Sequence, residues 1–200
     1  MRGETIEQIF HSAVEVFAHS GFERAKIDDV ARHAGVAKGT IYYHFKGKEE
    51  LFVALMRDGM EKMTEQIHRQ MGREPDPLRR LRALLQAQVE YLYEHGTFAK
   101  LLLSESWGSV ERQQEFRAKI RELVELIEEV LIQGAEEGSF RPQMSHHDTA
   151  VAMFGAISVS VLQDLFSPER TGTQEERVAG LVANLEKLFV DGVVVSKGKT

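Results

Sequence analysis

The segment from Ile27 to Leu51 leaves a chain of this kind few choices. Ile27, Val30, Ala31 and Ala34 fall at i, i+3, i+4 and i+7, one face of a short helix. Gly35 ends that helix, because glycine enters the left-handed conformation at a helix C-terminus without a Cβ penalty. Val36 fills the corner, and a second short helix follows with Ile41 and Phe45 on its inner side. The rest of its circumference carries Lys38, Gly39, Thr40, Tyr42, Tyr43 and His44. Two apolar anchors under an outer face of a cation, hydroxyls, aromatic rings and a glycine suit a DNA groove. The glycine lets backbone approach phosphate, and the others donate hydrogen bonds to phosphates or touch base edges. A solvent-facing turn between two ordinary core helices is the bland alternative for the same spacing.

Upstream, Ile6, Ile9, Phe10, Ala13, Val14 and Phe17 form a helical stripe that ends near Ser20 and Gly21. It is the natural third side of a small core holding Ile27, Val30, Ile41 and Phe45, with Phe22 as a plug. The chain is acidic, with a formal charge of −6, so where the charge lies matters more than its sum. Between Arg24 and Lys48, six cations (Arg24, Lys26, Arg32, Lys38, Lys46, Lys48) face two anions, Asp28 and Asp29. A local excess of four positive charges on an acidic body favours one docking face toward a polyanion and opposes wrong orientations.

The remaining residues read as helices throughout. A helix starts at Lys48, after an N-cap at Gly47, and carries Leu51, Phe52, Leu55, Met56, Met60 and Met63 to about Gln70. Asp76 and Pro77 begin another, which Gly96 is expected to stop near His95. A short helix from Thr97 to about Ser106 and a long one from Ser109 to Glu137 follow, then a helix from Ser145 to about Phe166 that is apolar over most of its circumference. Such a helix must be covered on more than one side. Thr173 and Glu176 cap a last helix with the stripe Val178, Leu181, Val182, Leu185, Leu188 and Phe189, after which Val193, Val194 and Val195 are expected to fray.

The exclusions are informative. With no cysteine there are no disulfides and no thiolate metal sites. No apolar run is judged to approach the ~20 residues of a membrane span, and no signal peptide is apparent, which points to the cytoplasm. His146, His147 and Asp148 point in different directions on one helical turn and make a poor metal site. No nucleophile motif or phosphate loop is present, so neither an enzyme nor a bound cofactor is expected.

The helix-turn-helix segment resembles the DNA-binding half of TetR-family transcriptional regulators. The matching residues are Phe22, Asp29-Val30-Ala31, Ala34-Gly35-Val36, Lys38-Gly39-Thr40-Ile41-Tyr42, His44-Phe45 and Lys48-Glu49-Glu50-Leu51. They cover about the first quarter of the chain, and the rest is similar to the family only in helix layout. The resemblance implies an all-α subunit with a DNA-binding head at residues 1–47 and a ligand-binding and dimerisation body at residues 48–200. It implies Lys26, Lys38, Gly39, Thr40, Tyr42, Tyr43, His44 and Lys48 as the DNA-contacting set. At Lys26 the family usually has a capping hydroxyl, so that helix start is expected to be less well capped. The implied partners are double-stranded operator DNA, a second copy of the chain and a small apolar effector, with no membrane.

Met56, Met60, Met63, Tyr91, Phe98, Leu102, Trp107, Phe116, Phe154 and Ile157 have two readings. As residue types they favour packing core, while the resemblance favours an effector pocket, to which flexible Met side chains would adapt. The resemblance also places Val161, Leu181, Leu185 and Leu188 at a dimer interface, as part of a four-helix bundle about a two-fold axis. The layout of Phe98 to Trp107, Gly134 to Phe140, and Met153-Phe154-Gly155 is similar to the fatty-acid-responsive, FadR-like branch, which senses acyl-CoA. A multidrug-type aromatic ligand is the alternative. The rival class is a helical module that binds a small molecule or protein and never touches DNA.

Overall fold

The computed structural model describes residues 2–104, 110–142, 145–168 and 171–194. Among them the regular structure is helical, apart from one isolated antiparallel bridge between Phe140 and Val194. The helices are α1 (Arg2–Ser20), α2 (Ile27–Ala34), α3 (Lys38–His44), α4 (Lys48–Met71), α5 (Pro77–Glu94), α6 (Gly96–Ser104), α7 (Val110–Glu136), α8 (His146–Phe166) and α9 (Gln174–Leu185). A π-helical turn, Glu186–Val190, and a single α-turn, Asp191–Val193, continue α9. The chain divides into two compact units, Met1–Glu61 with Thr97–Lys119, and Lys62–Gly96 with Ile120–Thr200.

The first unit is built on the α1 stripe. Ile9, Ala13 and Phe17 are buried with Val30, Ala31, Ile41, Leu51 and Phe52, and each large apolar side chain so removed from water contributes roughly 1.5–3 kcal/mol. The Phe52 ring meets Phe17 edge-on at 5.0 Å and Phe22 at 5.1 Å, so Phe22 does plug this core. Gly35 sits at φ 64°, and its amide and that of Val36 close back on α2 carbonyls, Val36 onto Ala31 at 3.0 Å. This tight corner sets the direction in which α3 leaves. Gln8 Nε2 donates to the Ala34 carbonyl at 2.8 Å, tying α1 to the same corner. At the start of α4, the Glu50 carboxylate accepts from the Lys46 amide at 2.7 Å, which ties the residue ahead of the glycine N-cap to the first turn of the helix. The Phe98 ring lies against Gly59, where a Cβ would come within 2.3 Å of it.

In the second unit, caps again mark the helix starts. Asp76 accepts from the Arg79 amide at 2.9 Å, Ser145 from the Asp148 amide at 3.3 Å, and Thr173 and Glu176 form a full capping box. Phe140 is fully buried against Gly134, whose missing side chain makes the contact possible, since a Cβ there would lie 2.0 Å from the ring.

Three sequence expectations need correction. Gly96 does not simply stop α5: it opens α6, and the chain turns at His95. Residues 193–194 are held rather than frayed, because the Arg141 amide donates to the Val193 carbonyl at 2.8 Å and Val193 is buried. The third concerns α8, which at 21 residues and mean hydropathy 1.5 is long and apolar enough to cross a membrane by length and composition. Spaced polar residues hide this run from a reading that looks for unbroken apolar sequence. In the fold α8 is a core helix, with Ala150, Met153, Phe154, Ile157, Ser158, Val161 and Leu165 buried.

Candidate functional site

The outer face of α3 presents the residues expected there. Tyr42 and Tyr43 are large rings left 49% and 72% exposed, an unusual outlay of apolar surface on so small a unit. Lys38 and Gly39 are exposed at the start of the helix, and Thr40 and His44 are half-buried. A Cβ at Gly39 would meet nothing within 4 Å. Packing therefore does not require glycine at this position, whereas close approach of another molecule would. Lys26, exposed at the N-cap of α2, makes no side-chain cap there, as its replacement of a hydroxyl predicts.

The cations of this face are not equivalent. Lys38 Nζ lies 2.7 Å from Asp28 Oδ1, and the hydrogen bond and charge of Asp28 raise the lysine's pKa. Arg32 is 3.4 Å from Asp29. Both pairs are exposed, so they hold geometry more than they stabilise. Lys48 differs in kind: its ammonium donates to the carbonyls of Phe22 at 2.8 Å and Glu23 at 3.0 Å, and lies 4.5 Å over the Phe22 ring. Two of its three donors are thus committed inside the unit, where they fasten α4 to the α1–α2 connection. Lys48 is a brace in this structure, a role that its position in a basic run conceals.

The apolar set divides between the two units. Met56, Met60, Phe98 and Leu102 are buried in the first, and Met63, Tyr91, Phe154 and Ile157 in the second. Trp107 and the side chain of Phe116 lie outside the described residues. An open groove of about 890 Å³ in the second unit runs beside α5 and α9, its walls mixing Gln66, Glu90, Glu94 and Glu175 with Val178, Ala179 and Val182, and none of the apolar set lines it. The candidate interface residues divide as well. Val161 is fully buried and Leu185 nearly so within the chain itself, which leaves them no surface to offer a second copy. Leu181 is half-buried and Leu188 is 65% exposed. The exposed large apolar residues of α8 are Val151, Val159 and Phe166.

Apolar patterning passed over two polar residues. Gln88 lies on the α5 stripe of Leu81, Leu84, Leu85 and Leu92 and is fully buried, and Ser158 lies on the buried face of α8. Neither the Gln88 amide nor the Ser158 hydroxyl has a hydrogen-bond partner among the described residues. A buried unpaired polar group costs about 1–3 kcal/mol. The sequence signal was available: a glutamine set in a leucine stripe.

Residues 9–55 match the model for the bacterial regulatory proteins of the tetR family, and residues 74–161 match that for the tetracyclin repressor-like C-terminal domain. A solved Clostridium perfringens structure named for fatty acid metabolism regulation is 33% identical, covers 94% of this chain and 100% of its own, and superposes with a TM-score of 0.83. The chain belongs to the TetR family of transcriptional regulators. Such regulators bind operator DNA as dimers, which gives the exposed face of α3 its functional context. The fatty acid metabolism regulator protein of Bacillus subtilis is 24% identical over 77% of this regulator and 80% of its own length. The structure of a Bacillus subtilis FadR in complex with stearoyl-CoA, 22% identical, covers 93% of this regulator and 98% of its own chain with a TM-score of 0.83.

Proposed function

We propose that this regulator is a repressor that a long-chain acyl-CoA releases from its operator. The observation that carries the reading is the full-length similarity, at 33% identity, to a regulator named for fatty acid metabolism. The stearoyl-CoA bound by the FadR of the same fold names the effector class. In this reading residues 1–47 form the head, and α3 enters the major groove. Lys38, Thr40, Tyr42, Tyr43 and His44 face the DNA, the Gly39 backbone approaches a phosphate, and Lys26 adds an ionic phosphate contact. Residues 48–200 bind the effector and a second copy. The exposed apolar residues Val151, Val159 and Phe166 of α8, with Leu181 and Leu188 beyond, supply the self-complementary surface a two-fold dimer needs. The regulator works in the cytoplasm, where operator DNA is.

The test has two steps. Selection from random duplexes with the purified protein identifies a bound sequence, which this reading expects to be palindromic. Stearoyl-CoA, shorter acyl-CoAs and free CoA are then titrated into that complex. Release by long-chain acyl-CoA and not by CoA is the expected result. A complex that survives every acyl-CoA but dissociates with an aromatic cation would sink the fatty-acid assignment.

A further inference from the structure

Gln88 and Ser158 are buried polar residues in the apolar core of the second unit. Their relative position follows from how α5 and α8 lie together. At one end both helices meet α7, where Arg80 Nη1 donates to Gln133 at 2.8 Å and His147 Nδ1 lies 3.0 Å from Glu128 Oε2. At the other end Tyr93 sits beside Asp164, and Gly96 lies against Leu165. The two helices therefore run side by side in the same direction. Measured from the far end, Tyr93 is five residues beyond Gln88, and Asp164 is six beyond Ser158. At 1.5 Å per residue the two side chains are level to within about one helical turn. Both face the interior, at 0% and 3% exposure, and both are without a partner among the described residues.

Two orphaned polar groups at one level of a leucine-rich core carry a cost that a polar partner would remove. Their donors, an amide NH2 and a hydroxyl, suit one acceptor oxygen arriving with an apolar ligand. Phe154 and Ile157 are buried on the same face of α8 as Ser158, so that oxygen would arrive in apolar company. We infer that Gln88 and Ser158 are the polar recognition point of the effector site, donating hydrogen bonds to the carbonyl oxygen of an acyl thioester. The inference rests on the acyl-CoA reading above and adds what that reading lacks, the residues that tell an acyl group from a plain hydrocarbon chain. A site built to hydrogen-bond a substrate oxygen rejects the analogue without it, because its own polar groups then stay unpaired.

The experiment compares stearoyl-CoA with S-octadecyl-CoA, the thioether that keeps the chain and the CoA but lacks the carbonyl. Affinities are measured by calorimetry on full-length wild type, Gln88→Leu and Ser158→Ala, with thermal unfolding of each apo protein. Wild type is expected to prefer the thioester at least tenfold. Gln88→Leu should abolish most of that preference while leaving thioether affinity nearly unchanged, and its apo form should melt no lower than wild type, since an unpaired amide has been removed. Ser158→Ala, the smaller change, should lose part of the preference and guards against misfolding of the leucine variant. Equal wild-type affinity for thioester and thioether overturns this inference and leaves the acyl-CoA reading standing, as does a preference that survives in both variants. A wild type that binds neither compound overturns both.

Discussion

At the scale of single residues, Gly39 separates function from packing most sharply. Space is open around it, and it lies within α3, where glycine is a poor helix former. Gly39→Ala should raise stability by up to about 1 kcal/mol and weaken operator binding, because a methyl group now stands where phosphate or groove edge must approach. Thermal unfolding and a binding titration on one protein preparation check both halves, and unchanged affinity would remove Gly39 from the interface. Tyr93 supports a pH prediction. It is 4% exposed, and burial first, then the nearby Asp164 carboxylate, push its phenol well above the usual 10, with Arg177 opposing. A folded-state pKa above the unfolded value means that the native state keeps a proton the unfolded chain has lost. The stabilisation is thus complete below about pH 10 and declines as pH rises beyond it. Tyr93→Phe should flatten that alkaline decline in a pH series of denaturation midpoints, and an unaltered slope would assign the decline to other groups.

At the scale of elements, α8 carries two faces with opposite duties. Val161 is buried at 0% exposure, while Val159, two residues earlier, is 50% exposed. Val161→Glu should therefore unfold the protomer, by placing a carboxylate in a core where burying an unpaired charge costs several kcal/mol. Val159→Glu should leave folding intact and, if this face meets a second copy, give monomers. Sedimentation and circular dichroism of the two variants distinguish these outcomes. A Val159→Glu protein that remains a dimer places the interface elsewhere. The same logic pairs Leu185, buried, with Leu188, exposed. The caps act at this scale as well: Ser145, Thr173 and Asp76 fix where helices begin, whereas α2 starts at Lys26 with no side-chain cap.

At the scale of the whole molecule, the excess of four positive charges between Arg24 and Lys48 sits in a chain of net charge −6. With two heads neutralising about six phosphates, operator affinity should fall ~10³-fold between ~50 and ~200 mM salt, through counterion release. A flat salt dependence would falsify the electrostatic part of the account. Asp28 tempers this attraction, since Lys38 is already paired with it, and removing that competition should tighten binding. Effector and operator are further bound by linkage. Whatever factor stearoyl-CoA takes from operator affinity, operator DNA must take from stearoyl-CoA affinity. Titrations run in both orders measure the two factors, and unequal values would mean that the ligands do not share one two-state equilibrium.

By itself the sequence determined the helical order of the chain, the head's core and the residues on the outer face of α3. These depend on local spacing and on one glycine corner, and near neighbours in the chain decide them. Whether Lys48 is a phosphate contact or a brace depends on where the Phe22 and Glu23 carbonyls fall, twenty-six and twenty-five residues away. Which face of α8 is buried could not be read from a helix apolar nearly all round, because the pattern carries no phase, and only packing assigns Val161 inward and Val159 outward. Composition likewise grouped the methionines and aromatic residues as one set. Tertiary structure divided them between two cores, since α4 belongs to one unit up to Glu61 and to the other from Lys62. The level matching of Gln88 and Ser158 belongs to the same class, for two residues seventy positions apart reach a similar level only when their helices pack.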